Sequence, residues 1–183
     1  MRLSFYCGLV LSSAILSAVC WRPAFAGDSK FHPPQTEAEK ALHEIIDLEA
    51  KGSNLFAFAL GIPEGDPAKT KRYGQFFTKA FLTALRKAEA DLIQSNCGGI
   101  DREDEPCGFD FDPLLCAQDT WDVYVFRTIK AGEASATIIA IGLEVENHEE
   151  AYHYYNMTKE QEIWKLDGID CLKGFTFNMP SLR

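Results

Sequence analysis

Apolar residues in the first half of the chain recur at the spacing of a helix. The first such face consists of Ala38, Ala41, Leu42, Ile45 and Leu48. Thr36 and Glu39 occupy the two key positions of a capping box, in which each side chain bonds the other residue's backbone amide. A helix is therefore predicted to begin directly after Thr36.

Turn residues then separate this helix from later ones. Residues 61–67 are rich in Gly and Pro, with Asp66 as a predicted cap and Pro67 at a first helical position. A further helix is predicted from about Phe76 to Gln94, and a short one at Leu114–Gln118. The apolar face of the longer helix consists of Phe77, Phe81, Ala84, Leu85, Ala88 and Leu92.

The second half of the chain has the composition of β-strands. Segments 122–130, 134–146, 152–159 and 162–171 are rich in Val, Ile, Tyr, Trp and Thr, and short turns separate them. Short connections favour an antiparallel meander. Helices followed by such a sheet predict a single α+β domain over residues 36–183, with the helices on one face of the sheet.

The first 26 residues have the features of a signal peptide. Arg2 precedes the mostly apolar stretch Phe5–Val19, and Ala24 and Ala26 stand where a signal peptidase requires small residues. Cleavage would leave Gly27 as the first residue of an extended leader, 27–35, in a periplasmic or secreted protein. Attachment to the membrane would require a lipid on Cys20, and Val19 is a poor residue for that signal.

The net charge of the chain indicates which classes of partner it can bind. The 183 residues contain 27 acidic and 18 basic side chains, and 46% of them are hydrophobic. Residues 1–26 contain two arginines and no acidic residue, so their removal changes the net charge from −9 to −11. This balance argues against nucleic-acid binding and favours a basic partner.

Four cysteines lie outside the signal peptide, and an even number is expected where cysteines pair in disulfides in an oxidising compartment. Cys97, Cys107, Cys116 and Cys171 allow three pairings. We favour Cys97–Cys107, which closes a Gly-rich acidic loop, with Cys116–Cys171 tying the short helix to the last strand. The chain has no paired C-x-x-C spacings, so no metal site is predicted.

Two motifs resemble those of a bacterial family of exported proteins of unknown function. They are D-P-x-x-x-A-Q-D at Asp112–Asp119 and W-K-[IL]-D-x-I at Trp164–Ile169. The resemblance implies a nuclear transport factor 2-like (cystatin-like) fold, a cone of helices wrapped by a bent antiparallel sheet. Since the family has no common activity, the resemblance implies a fold and a compartment but no reaction.

No catalytic residue and no cofactor is predicted, because nucleophile-elbow and phosphate-binding motifs are missing. His43 is predicted on the polar side of the first helix. An odd separation places His148 and His153 on opposite sides of a regular strand, so a shared metal is not expected. Tyr152 and Tyr154, in contrast, share one face.

Polar side chains near the predicted short helix are interpreted mainly as structural. Asp112 would cap that helix, and Gln118 and Asp119 would bind backbone amides where the chain turns into the first strand. The same residues could instead line a binding site together with aromatic residues of the sheet. The candidate binding residues are Asp112, Gln118, Asp119, Tyr152, Tyr154 and Trp164.

Three functions are compatible with these features. The first is a non-catalytic binding protein whose acidic surface and aromatic sheet recognise a basic protein, as an inhibitor or an immunity protein would. The second is a small-ligand pocket, or an enzyme without a recognisable motif, lined by Tyr154, Trp164 and the Asp112/Asp119 region. The third is a structural protein of the cell envelope.

Overall fold

The chain forms an α+β fold in which helices precede an antiparallel sheet, as the sequence predicts. A computed structural model describes residues 31–100, 107–144 and 149–175. The helices in these ranges are α1 (Glu37–Ala50), α2 (Leu55–Leu60), α3 (Pro67–Tyr73) and α4 (Lys79–Cys97). The strands are β1 (Val123–Ala131), β2 (Ser135–Glu144), β3 (Glu149–Glu160) and β4 (Ile163–Ile169), followed by a 3₁₀ helix, Asp170–Phe175. They form one sheet with the order β1-β2-β3-β4.

The helix starts follow from side-chain caps. Thr36 and Glu39 form the predicted capping box, and Asp66 accepts a hydrogen bond from the Ala68 amide at 2.8 Å at the start of α3. The start of α4 differs from the prediction, because the helix begins after its cap Thr78 and not at Phe76. Residues 76–78 instead bond along the edge of β4, where the Thr78 amide donates to the Leu166 carbonyl at 3.0 Å.

The helices cover one face of the sheet, here called the inner face, and the main core lies between them. From the sheet, the core includes Phe126, Ala136, Ile138, Ala140, Tyr155, Met157, Leu166 and Ile169. From the helices, it includes Leu42, Ile45, Ile46, Leu55, Phe81 and Leu85. His43 also faces the sheet, with its ring 5.7 Å from that of Phe126, so its predicted position on the polar side of α1 is wrong.

Glu39 joins α1 to the sheet although its side chain is fully buried. Its carboxylate accepts hydrogen bonds from the Gln35 amide at 2.9 Å, the Thr36 amide at 3.0 Å and the Thr128 hydroxyl at 2.6 Å. Burial alone would raise the pKa of Glu39, but these donors outweigh it and hold the pKa below its usual value. The carboxylate therefore stabilises both the start of the helix and its contact with β1.

Two disulfides, Cys97–Cys107 and Cys116–Cys171, are present, and both are the pairings that the sequence favours. The elements that the second one joins differ from the prediction, because Cys171 lies in the 3₁₀ helix after β4. The short helix predicted at Leu114–Gln118 does not form either. Asp112 and Ala117 instead make an isolated β-bridge around a tight turn, in which the Asp112 side chain accepts from the Leu114 amide at 2.7 Å.

Several sequence-based predictions lie outside the described residues. They concern the signal peptide at residues 1–26, the cysteine at position 20 within it, and the histidine at position 148. Within the described ranges, none of the helices is both long enough and apolar enough to cross a membrane.

The turn between β3 and β4 offers a simple stability test. Gln161 and Glu162 have φ angles of 50° and 66°, in the left-handed region that Asn and Gly adopt more easily than other residues. Replacing the pair by Asn-Gly is expected to raise the free energy of unfolding by about 1 kcal/mol. Urea unfolding measures this change.

Glu162→Gln is the matched control, because it removes the exposed ion pair with Lys159 and leaves the backbone requirement in place. We expect it to change the free energy of unfolding by only a few tenths of a kcal/mol, about 0.3. An Asn-Gly variant no more stable than this control would show that the turn is not strained.

Candidate functional site

The face of the sheet turned away from the helices is its outer face. In the described part of the chain, no helix packs on it, since the helices contact the core on the inner face. The strand register aligns its side chains in three rows that run across β1, β2 and β3. The rows, together called the outer patch, are Val123–Leu143–Glu150, Val125–Ile141–Tyr152 and Arg127–Ile139–Tyr154.

The centre of the outer patch is buried and its flanks are open. Ile139 and Ile141 are each 4% exposed, whereas Val123 is 44% exposed and Tyr152 is 48% exposed. Exposed apolar and aromatic side chains beside a buried apolar centre are typical of a contact surface.

Phe31 lies beside the outer patch. Its ring centroid is 6.0 Å from that of Tyr152, and the Arg127 guanidinium carbon lies 4.7 Å from the centre of the Phe31 ring. The Tyr152 hydroxyl donates to the Glu150 carboxylate at 2.6 Å, and this bond raises the pKa of Tyr152. Two aromatic rings and a carboxylate therefore lie together at one side of the patch.

One end of the sheet is acidic. The start of β1 follows Asp119 and Asp122, the described part of β2 ends at Glu144, and Glu150 is near the start of β3. Antiparallel pairing brings these chain segments to the same end of the sheet. The segments 119–126 and 140–158 contain no Lys or Arg. This acidic end borders the row Val123–Leu143–Glu150 of the outer patch.

The structure separates the predicted binding residues into different places. Tyr152 and Tyr154 lie together in the outer patch, and the exposed Asp119 belongs to the acidic end. Gln118 is exposed nearby, and its side-chain amide donates to the Asp110 carbonyl at 3.3 Å, whereas the sequence predicted a bond to a backbone amide. The period of a strand predicts the common face of the two tyrosines, whereas the rows that they form with β1 and β2 depend on strand register.

Trp164 lies elsewhere, in a groove of about 420 Å³ between α1, α3 and β4. The groove is lined by charged side chains that already pair with one another, such as Arg72 and Glu44 at 2.6 Å. The predicted ligand pocket with Tyr154, Trp164 and Asp112 around one space is therefore not formed by the described residues.

Asp112 is enclosed beside Glu49, a partner that the sequence did not indicate. Glu49 comes from the last turns of α1, where its carboxylate accepts from the Phe56 amide at 2.9 Å, and it hydrogen-bonds to Asp112. Burial first, and the charge of Glu49 second, raise the pKa of Asp112 to about 7. The Asp112 carboxyl is therefore partly protonated near neutral pH, and its hydrogen bond with Glu49 joins α1 to the turn at residues 112–117.

Two buried phenols lie around this carboxyl pair. The Tyr155 hydroxyl donates to the Leu114 carbonyl at 3.2 Å, and burial raises the pKa of Tyr155 well above its usual value. Burial also raises the pKa of Tyr124 to about 12, an effect that the charge of Asp112 reinforces. Both phenols remain protonated at neutral pH, so the cluster contains no activated nucleophile.

The Trp121 ring packs on β2 at Gly142, where the absence of a side chain leaves room for it. A Cβ atom at Gly142 would lie 2.3 Å from the Trp121 ring, a distance that forces one of them to move. Gly142→Ala is therefore expected to lower the free energy of unfolding by about 2 kcal/mol and to change the fluorescence of Trp121. Denaturant unfolding and an emission spectrum of the folded variant measure both effects.

Gly65→Ala is the control for this substitution, since a Cβ atom there has no neighbour within 4 Å. We expect it to leave the emission spectrum unchanged. If Gly142→Ala were as stable as Gly65→Ala, the close packing of Trp121 on β2 would be refuted.

Comparisons with known proteins add little to this geometry. No protein-family model matches the chain, and no curated protein matches it. Among solved structures, the chain is similar to a protein of unknown function from Bacteroides thetaiotaomicron VPI-5482, with 14% sequence identity and a TM-score of 0.34. The match covers 73% of this chain and 93% of that one. This similarity does not indicate a function.

Proposed function

We propose that this chain is an exported, non-catalytic binding protein that holds a basic protein partner on its outer patch. The observation that carries the proposal is the continuity between the outer patch and the acidic end of the sheet. Exposed Val123 and Tyr152 provide apolar contact area, and Glu150 lies next to both within the same three strands. An aromatic contact area with an acidic border at one end suits a partner with apolar and basic side chains.

The charge of the whole chain supports the same partner. The net charge of −9 attracts cationic proteins over distances of about 8 Å at physiological salt, whereas the apolar contact is insensitive to salt. Association should therefore weaken as salt rises, and the bound complex should depend mainly on Tyr152. An inhibitor or immunity protein for a secreted basic protein would bind in this way.

We also propose a location and a finer fold. The apolar segment ending at Ala24 and Ala26 and the two disulfides support export through a cleaved signal peptide to the periplasm or the medium. The order of four helices and a four-strand meander supports a nuclear transport factor 2-like cone. Mass measurement of the exported protein tests the first proposal, because cleavage after Ala26 predicts Gly27 as the first residue.

The binding proposal can be tested by capture followed by a defined binding assay. The mature protein, residues 27–183, is immobilised and exposed to an extract of its own cell envelope at low and high salt. A basic protein that is retained and then released by salt is purified, and its affinity is measured by calorimetry. Tyr152→Ala is expected to weaken that affinity roughly 30-fold, as loss of an aromatic side chain from an interface does.

Two further variants are measured in the same assay: Glu150→Gln tests the contribution of charge, and Ile62→Ser is the control. Glu150→Gln should reduce the association rate at low salt with little effect at high salt. Ile62 is 59% exposed in the loop between α2 and α3, away from the sheet, so Ile62→Ser should bind as the wild type does. Equal affinities of the wild type and Tyr152→Ala, or failure to retain any basic protein, would refute the proposal.

A further inference from the structure

Three side chains able to bind a transition metal lie together near the end of β4, and a fourth is bonded to one of them. One ligand atom from each of Cys116, His153 and Asp170 lies within 4.8 Å of the other two. Cys171 belongs to the same cluster because its sulfur is bonded to that of Cys116. The four residues come from the turn at 112–117, the inner face of β3 and the 3₁₀ helix after β4.

The histidine in this cluster is poised for a further interaction. His153 Nδ1 lies 3.7 Å from Asp170 Oδ1, and its Nε2 is buried without a hydrogen-bond partner among the described residues. Asp170 Oδ1 also accepts from the Tyr154 amide at 3.0 Å, which fixes the direction of the carboxylate. A buried imidazole nitrogen that makes no hydrogen bond is costly, and binding a metal would satisfy it.

In the oxidised chain, the disulfide removes both sulfurs as metal ligands, since the thiolate is the form that binds a metal. We propose that reduction of Cys116–Cys171 converts this cluster into a zinc site with the ligands Cys116, Cys171, His153 and Asp170. A dithiol reductant supplies two electrons and two protons: the S–S bond breaks, two thiols form, and the reductant becomes a disulfide. Zn²⁺ then displaces the two thiol protons and bonds to both thiolates.

The geometry requires only small movements. Ligand atoms of a tetrahedral zinc site lie roughly 3–4 Å apart, so the spacings within 4.8 Å among Cys116, His153 and Asp170 require side-chain adjustments of about 1 Å. Cys171 enters the site when its sulfur separates from that of Cys116. Two thiolates, one imidazole and one carboxylate are all ordinary zinc ligands. Cys116 and Cys171 are also partly exposed, which gives a reductant access, whereas Cys107 of the other disulfide is 1% exposed.

The consequence is an exchange of one cross-link for another. In the oxidised chain, the disulfide joins the turn at 112–117 to the 3₁₀ helix, and in the reduced chain zinc would join the same two segments. The site would therefore bind a thiophilic divalent cation under reducing conditions and release it on oxidation.

Cobalt(II) is the probe for the test, because a tetrahedral cobalt–thiolate site has intense visible absorption bands. The mature protein is titrated with CoCl₂ under nitrogen, once oxidised and once after reduction with a dithiol that is then removed. We expect one equivalent of cobalt to bind to the reduced protein, zinc to displace it, and the oxidised protein to bind none. His153→Ala and Asp170→Asn should each weaken binding roughly 100-fold.

A variant with Cys97 and Cys107 replaced by alanine separates this site from the other disulfide, and it should bind cobalt as the wild type does. Circular dichroism of each sample shows whether the reduced chain is folded; if reduction unfolds it, zinc should restore the folded spectrum in the wild type but not in His153→Ala. Absence of the visible bands, or bands unchanged in both His153→Ala and Asp170→Asn, would overturn the proposal.

Discussion

Replacing both Cys116 and Cys171 by alanine is expected to lower the free energy of unfolding by about 4 kcal/mol. The bond closes a loop with a sequence separation of 55 residues, and so long a loop restricts the unfolded chain strongly. It also ties the turn at 112–117, which includes the core residue Leu114, to the segment after β4. Urea unfolding of the double variant and the wild type under oxidising conditions measures the difference.

The Cys97–Cys107 bond provides the comparison. Its sequence separation is 10 residues, so the same chain-entropy argument gives a loss of about 3 kcal/mol for the double alanine variant. Removing Cys116–Cys171 should therefore lower the free energy of unfolding more than removing Cys97–Cys107 does. A larger loss from removing Cys97–Cys107 would contradict the assignment of Cys116–Cys171 as the main cross-link of this fold.

Asp112→Asn is expected to stabilise the protein at pH 8 by about 4 kcal/mol and to leave its stability nearly unchanged near pH 4. The pKa of Asp112 is raised in the folded state from its ordinary value of 3.8 to about 7. Folding therefore favours the protonated carboxyl, and stability is lost as the pH rises through the window between these two values. Asparagine resembles the protonated form, because it keeps an acceptor for the Leu114 amide and gains a donor toward Glu49.

Other titratable groups surround Asp112. They are Glu49 from α1, Tyr124 from β1 and Tyr155 from β3, and both phenols stay protonated between pH 4 and pH 8. Glu39 contributes in the opposite direction, because its lowered pKa provides stability that is lost in acid, but it does so equally in both proteins.

Thermal or urea unfolding between pH 4 and pH 8 measures this effect, with Asp119→Asn as the control. Asp119 is exposed, so its substitution should leave the pH profile of the wild type in place. Parallel profiles for Asp112→Asn and the wild type would mean that the pKa of Asp112 is not raised in the folded protein.

Local signals in the sequence predict much of the fold. Thr36 with Glu39, and Asp66 with Pro67, start helices through contacts within a few residues, and both starts are confirmed. Alternation along β3 places Tyr152 and Tyr154 on the face opposite His153 and Tyr155, because side-chain direction in a strand has a period of two.

Features that depend on distant contacts could not be predicted. The start of α4 is shifted because residues 76–78 bond to β4, and the pair of Glu49 with Asp112 joins segments far apart in sequence. The cluster of Cys116, His153 and Asp170 likewise has no short spacing that would indicate a metal site.

The predicted ligand pocket also depended on distant contacts, and the described residues do not form it. Trp164 and Tyr154 belong to the same hairpin, yet Trp164 faces the groove beside α1 and Tyr154 faces away from the helices. The register between β3 and β4 shifts between Asn156 and Met157, and nothing in the sequence marks that irregularity. Which residues share a space therefore depended on strand pairing, which the sequence pattern does not specify.

Hydroxyl-radical footprinting of the mature protein, alone and with its captured basic partner, tests the binding proposal most directly. Labelling of Tyr152 and Tyr154 in the outer patch should fall on binding, while labelling of Trp164 in the groove and of Ile62 should stay the same. Protection of Trp164 with unchanged labelling of both tyrosines would contradict the account, because the partner would then occupy the groove between α1, α3 and β4.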